Sequence, residues 1–231
     1  MKKIAAVAAL AAATALSAPA YADDLAGKVQ VKLLATGVLP DGKIDTVKSI
    51  NTATTLGAAV AATVGPQTQA NDNVVPTLAI EYYATNNLSI ETICCFTQHH
   101  VNGAGGLAGT KLVDHVLILP ATVTVKYHLP LGAIKPYLGA GPALFVVFGE
   151  KPGATATALG VTSVKMSNSL GVALQAGVDI DLGSSGMGLS LDAKKYFIKP
   201  SAKFYQGGTL ALETKHQLDP WVVSAGLFFR F

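Results

Sequence analysis

The sequence predicts an all-β fold, an eight-stranded antiparallel transmembrane β-barrel of the bacterial outer membrane. Three observations predict it. Apolar and mixed residues alternate with period two in repeated segments. Long and short connections between those segments alternate strictly. The chain is also apolar without any helix-length apolar run after its first twenty residues. Only 13% of its 231 residues are charged, against roughly 25% in an average soluble domain. That composition excludes intrinsic disorder, which needs high charge and low hydrophobicity. A helical membrane bundle would need several apolar runs of about 18 residues, which this chain lacks. A net charge of +3 with no extended basic cluster argues against nucleic acid as a partner. Two cysteines exclude a disulfide scaffold.

Residues 1–22 read as a secretory signal peptide. Lys2 and Lys3 form a basic start, residues 4–16 an apolar core, and Ala20 and Ala22 place small residues before Asp23. Residues 23–231 are then a single barrel domain with four long extracellular loops.

Successive strand residues point to opposite faces, so a strand in a barrel wall alternates lipid-facing and lumen-facing side chains. The last segment is the clearest: Trp221, Val223, Ala225, Leu227, Phe229 and Phe231 make one apolar row, with Val222, Ser224, Gly226, Phe228 and Arg230 opposite. A second row is Leu170, Val172, Leu174, Ala176, Val178 and Ile180, and a third is Leu117, Leu119, Ala121, Val123, Val125 and Tyr127. Shorter rows begin at Val29, Leu78, Leu88 and Leu189; Lys195 interrupts the last, either snorkelling to an interface or marking a shifted register. Residues 134–148 are apolar on both faces, which leaves their facing open. Eight strands with alternating connections put both chain ends and all short turns on one side, the plan of outer-membrane barrels. A soluble eight-stranded barrel would turn its apolar face inward and its charges outward. Here the uniformly apolar face is the one that must meet lipid, and Tyr82, Tyr127, Trp221 and Phe229 lie near the row ends, where membrane barrels carry aromatic girdles.

Several blocks carry a family resemblance. They are Pro76-Thr77-Leu78-Ala79-Ile80-Glu81-Tyr82-Tyr83, Asn87-Leu88-Ser89-Ile90-Glu91, the run from Leu119 to His128, Pro136-Tyr137-Leu138-Gly139-Ala140-Gly141, Ala173-Leu174-Gln175-Ala176-Gly177-Val178-Asp179, and the C-terminal Phe228-Phe229-Arg230-Phe231. In this order the chain resembles the OmpW family of outer-membrane proteins, which includes the AlkL-type alkane importers. The first long loop, the 99–115 loop and the Cys94-Cys95 pair depart from the family pattern. The resemblance implies a narrow hydrophobic lumen passing small hydrophobic solutes. It also implies recognition of the terminal Phe231 by the outer-membrane assembly machinery. Outer-membrane lipids complete the expected partners.

The inward rows give the lumen two halves. Ile93, Cys95, Val116, Ile118 and Val222 form an expected hydrophobic path in its outer half. Glu81, Glu91, Lys126, His128, Asp179, Asp192, Lys194 and Arg230 form an expected charged plug near the periplasmic end, because buried charges must pair. A plugged floor would send an apolar solute sideways into the bilayer. Pro120 and Pro142 each remove a ladder donor inside a strand and are the lateral-gate candidates; each could equally mark a bulge without a transport role. No catalytic residue, cofactor or metal is expected: His99, His100 and His115 lack a nucleophile signature, and adjacent strand residues point apart. Residues 51–64 could cover the pore mouth or form a surface epitope. The function expected is passive uptake of small hydrophobic molecules. The alternative is a non-transporting barrel whose loops contact phage, bacteriocin or host.

Overall fold

The structure, a computed structural model, describes residues 24–183 and 185–231. The expected leader lies outside the described residues. In chain order the strands are β1 (Val29–Leu39), β2 (Lys43–Ile50), β3 (Pro66–Ala70), β4 (Asn73–Tyr83), β5 (Leu88–Cys94), β6 (Thr97–Gly105), β7 (Lys111–His128), β8 (Ile134–Pro152), β9 (Ser163–Met166), β10 (Ser169–Asp181), β11 (Met187–Phe197), β12 (Ser201–Gln206), β13 (Thr209–Gln217) and β14 (Trp221–Arg230). Two short helices interrupt them: α1 (Thr55–Ala61) between β2 and β3, and α2 (Ala154–Ala158) between β8 and β9.

Eight of these strands close into a cylinder. Antiparallel pairing runs β1, β14, β11, β10, β8, β7, β5, β4 and back to β1. Closure pairs the backbone polar groups within the wall, save where β4 runs beyond its last partner in β5, at Leu78 opposite Cys94. Side chains alternate as the sequence predicts. In β4, Val75, Thr77, Ala79, Glu81 and Tyr83 are buried while Leu78, Ile80 and Tyr82 are exposed. In β14, Trp221, Val223, Leu227 and Phe229 face outward. Lys195 also sits on the outer face, where its ammonium lies 5.3 Å from the Trp221 ring and donates to the Asp219 carbonyl. The register of β11 is therefore the expected one, and Lys195 snorkels.

The facing left open in residues 134–148 resolves in β8: Lys135, Tyr137, Ala143 and Phe145 point inward, and Leu138, Pro142 and Leu144 point outward. Composition hid this because Gly139 and Gly141 take inward positions. A Cβ at Gly141 would collide with the Val123 carbonyl oxygen, so β7 and β8 approach closely there.

The long connections are more ordered than their sequence suggests. β2, β13, β12 and β9 form a four-stranded sheet above the barrel, and β3 adds to β6, which extends along the upper part of β7. The two assemblies enclose an apolar crown. The 51–64 segment contributes α1, capped by the Thr54 hydroxyl accepting from the Gly57 N–H, and buries Leu56 and Val60. Burial of that Leu and Val, four residues apart on one face, rather than helix propensity, accounts for so short a helix.

Candidate functional site

The periplasmic half of the lumen is filled by ion pairs. Period-two alternation aims carboxylates from β4, β5 and β10 at lysines from β1, β7 and β11. Glu81 is the hub: Lys126 lies 2.7 Å and Lys32 3.0 Å from Oε2, while His128 Nε2 lies 2.8 Å and the Ser89 hydroxyl 2.5 Å from Oε1. Glu91 takes Lys126 at 3.0 Å, Lys32 at 3.2 Å and Lys194 at 3.1 Å. Asp192 pairs with Lys194 at 2.7 Å and accepts from the Tyr137 hydroxyl at 2.8 Å and the Gln175 amide at 2.6 Å. Asp179 pairs with Lys32 at 3.2 Å and accepts from Gln30 and Ser190. Lowest in the barrel, Arg230 and Lys135 both pair with Asp181. Aromatic rings pack into the same layer: Tyr137 lies 3.7 Å beneath the Lys126 ammonium, and His128 is wedged between Tyr83 and Tyr137.

All eight charged residues expected there lie in this cluster. Sequence reasoning missed Lys32 and Gln30, which sit on the inward face of the first strand, Asp181, the last residue of β10, and Lys135 and Tyr137, which sit in the segment whose facing was open. With them, the five cations Lys32, Lys126, Lys135, Lys194 and Arg230 meet the five carboxylates Glu81, Glu91, Asp179, Asp181 and Asp192. A balanced, hydrogen-bonded set is the form in which charge can be kept out of water.

Above this layer the lumen turns apolar. Ile93, Cys95, Val116, Ile118 and Val222 are all buried. A cavity of ≈ 30 Å³ lies among Ile93, Cys95, Ile118, Phe145, Tyr196 and Val222, with Lys194 at its floor. Val116 lies in one apolar cluster with Cys95, Ile118 and Val222 without lining that cavity, and Ile93 packs with Leu34 and Ala79. A second apolar cavity of ≈ 40 Å³ lies in the crown, lined by Leu56, Val60, Phe204 and Leu212, and Leu218 borders both. The buried side chains between them form one continuous cluster from Leu56 and Phe204 down to Cys95 and Tyr196.

The wall has a break at the level of the upper cavity. β4 and β5 are paired up to Leu78 opposite Cys94 and no further, although β4 continues to Asn73 along β1. On the other side, β5 pairs with β7 up to Ile93 opposite Thr122, and pairing resumes in β6 with Thr97 opposite Ile118, in unchanged register. Cys95 and Phe96 therefore belong to no strand. Position 120 is opposite position 95 in that register, and proline has no N–H to offer. The strands rejoin above, where the Asn73 side chain donates to the Gln98 carbonyl at 2.8 Å. The slot left between is lined by Leu33, Leu34, Pro76, Thr77, Leu78 and Cys94 to Phe96, and encloses ≈ 580 Å³ open to the outside. Leu34, Thr77 and Cys95 line both this slot and the upper cavity.

Pro120 and Pro142 are thus placed differently. Pro120 is buried at the interrupted rung beside the slot. Pro142 is exposed, its neighbours Ala140 and Ala143 stay paired with β7 in unchanged register, and Gly141 lets the two backbones touch. The ladder to β7 skips the rungs of Gly141 and Pro142, while the two backbones stay in close approach there. Pro76, on the slot's rim, was not singled out by sequence because it sits at a strand's outer end. Cys94, the last residue of β5, faces outward and Cys95, just beyond it, inward. The histidines do not converge: His99 is buried between Thr97 and the Asn71 carbonyl, while His100 contacts the Asp114 carbonyl.

His216 is a titratable group buried in the crown's interior. His216 of β13 bonds Thr214 through Nε2 at 2.7 Å and Thr68 of β3 through Nδ1 at 3.2 Å. Burial, only partly offset by the Gly42 carbonyl, pushes its pKa below the ordinary 6.5. The unfolded crown thus takes up a proton near pH 6.5 that the folded crown refuses. Crown stability is full above that pH and falls as pH drops towards the folded value. Amide protection in β13 and β3, corrected for intrinsic exchange, is expected to fall between about pH 7.5 and about pH 5.5, and to become flat in His216→Asn.

Fold and lumen together define an eight-stranded outer-membrane β-barrel with an apolar upper lumen above a charged floor. The sequence profile of the OmpW family matches residues 25–231, and the chain belongs to that family. It is 32% identical to the outer-membrane protein y4mB of Sinorhizobium fredii over 162 residues, 70% of this chain and 67% of that protein. It is 27% identical to Outer membrane protein W of Escherichia coli over the full length of both chains. Among solved structures it resembles OprG of Pseudomonas aeruginosa (TM-score 0.74, 22% identity, 91% of this chain and 98% of that one). It also resembles AlkL in lipid bilayers (TM-score 0.69, 20% identity, 93% and 95%). The protein resides in the outer membrane.

Proposed function

We propose that the barrel is a passive conduit for small hydrophobic molecules, taken up through the crown and released sideways into the bilayer. The observation that carries this reading is a single apolar column ending at a slot in the wall, immediately above a floor packed with ion pairs. The barrier to an apolar solute at this surface is the hydrated polysaccharide layer, not the hydrocarbon. An apolar column crosses the polar layer, and a side exit spares the solute the charged floor. Cavities of ≈ 30 and ≈ 40 Å³ are smaller than such solutes, so side chains must shift as one passes, one molecule at a time. In this reading Ile93, Cys95, Val116, Ile118 and Val222 form the path. The eight expected charged residues, with Lys32, Lys135 and Asp181, form the plug. Pro120 keeps the slot unpaired, and Pro142 has no part in release. The terminal Phe231, whose backbone pairs with Val29, is the mark read by the assembly machinery. The test is uptake of a hydrophobic tracer by cells with the protein, without it, and with the slot filled at Cys95. Equal uptake in all three would leave a barrel whose loops serve surface contact instead.

A further inference from the structure

The cavity above the floor is not purely apolar, and its polar groups are almost all engaged. Thr36 and Ser224 bond each other at 2.8 Å, Thr97 bonds His99, the Tyr196 hydroxyl accepts from Thr122, and Lys194 is held by Glu91 and Asp192. The exception among the described residues is Thr77. Its Oγ1 is buried without a hydrogen-bond partner. It lines both the cavity and the slot, so it stands in the passage between them. The group facing it is the Cys95 thiol, at best a weak partner. A buried hydroxyl with no partner stronger than a thiol is poorly satisfied, and a passing molecule that bonds it recovers part of that cost.

Resting on the conduit reading, we infer that Thr77 makes the throat selective for apolar molecules carrying one hydrogen-bonding oxygen, a ketone, ester or alcohol, over plain hydrocarbons. The hydroxyl donates to a carbonyl or ether oxygen, or accepts from an alcohol. A hydrocarbon leaves it as it is. One group at one height fits a single oxygen; a molecule with several would leave the rest unbonded against Leu34, Ile93 and Ile118.

The Cys95 thiol reports occupancy directly. In lipid nanodiscs, on a Cys94→Ser background, the rate of Cys95 labelling by N-ethylmaleimide is measured against increasing 2-octanone or octane. Both are expected to protect. The ratio of their half-protecting concentrations cancels differences in partitioning between variants. It is expected to move against the ketone by about threefold to tenfold in Thr77→Val, the loss of one net hydrogen bond, and to hold in Thr77→Ser. Circular dichroism checks that both variants fold. An unchanged ratio in Thr77→Val, with both compounds protecting, overturns the inference and leaves the conduit standing. Failure of both compounds to protect Cys95 overturns the inference and the conduit together.

Discussion

Glu81→Leu is expected to destabilise the barrel by about 3–5 kcal/mol, the cost of leaving a buried charge without its partner. Glu81 is fully buried and receives Lys126, Lys32, His128 and Ser89. Its loss leaves Lys126 with Glu91 alone, and Lys32 with Glu91 and Asp179. Urea unfolding from lipid vesicles measures the effect. Lys126→Met should restore part of the loss when added to Glu81→Leu, because the pair then leaves together; a double-mutant cycle gives the coupling. The exposed pair between Lys199 and Asp45, 3.1 Å apart, supplies the contrast, and its removal is expected to cost less than about 1 kcal/mol. If Glu81→Leu were as mild as that, the floor would be hydrated rather than packed. A route straight down the lumen would then compete with the side exit.

The same cluster shows how far the sequence could be read. Alternation located seven of the eight wall strands, because lipid demands an apolar residue at every second position and few other environments do; the eighth, β8, reads as apolar on both faces. Alternation also aimed the charged residues of β4, β5, β7, β10, β11 and β14 inward, since a charge on the opposite face would meet hydrocarbon. Lys32 had the same signal but a short first row. Tyr137 and Lys135 were hidden because glycines at 139 and 141 erase the contrast between faces. The slot was less legible. Pro120 and Pro142 were equal candidates in the sequence, and no local pattern separates them: one lies opposite the residues between β5 and β6, the other opposite a strand in close contact. That difference is one of long-range register. The crown was illegible for another reason. Its strands and helices bury apolar residues against each other rather than against lipid, so their periodicity is short and irregular, as in β13 with its register shifts at Thr214 and His216.

Filling the throat should abolish uptake while leaving the barrel intact. Cys95→Trp places an indole where the upper cavity meets the slot, between Leu34 and Thr77. The cavity holds only ≈ 30 Å³, so the new ring must project into the passage. Tracer uptake is expected to fall to that of cells lacking the protein. Overpacking of this kind costs about 1–3 kcal/mol, which a closed barrel can absorb, and unfolding in urea verifies that it does. Leu191→Trp, on the lipid face of β11 and away from the slot, should leave uptake as it was. Labelling Cys95 with N-ethylmaleimide in the folded Cys94→Ser protein repeats the block without any demand on folding. Glu81→Leu completes the comparison, because it loosens the floor and spares the throat. A side exit predicts normal uptake in Glu81→Leu and none in Cys95→Trp. A vertical route predicts the reverse: faster uptake when the floor is loosened, and uptake that persists when the slot is closed. The two routes share the crown and the upper cavity, so only variants placed below and beside that cavity can tell them apart.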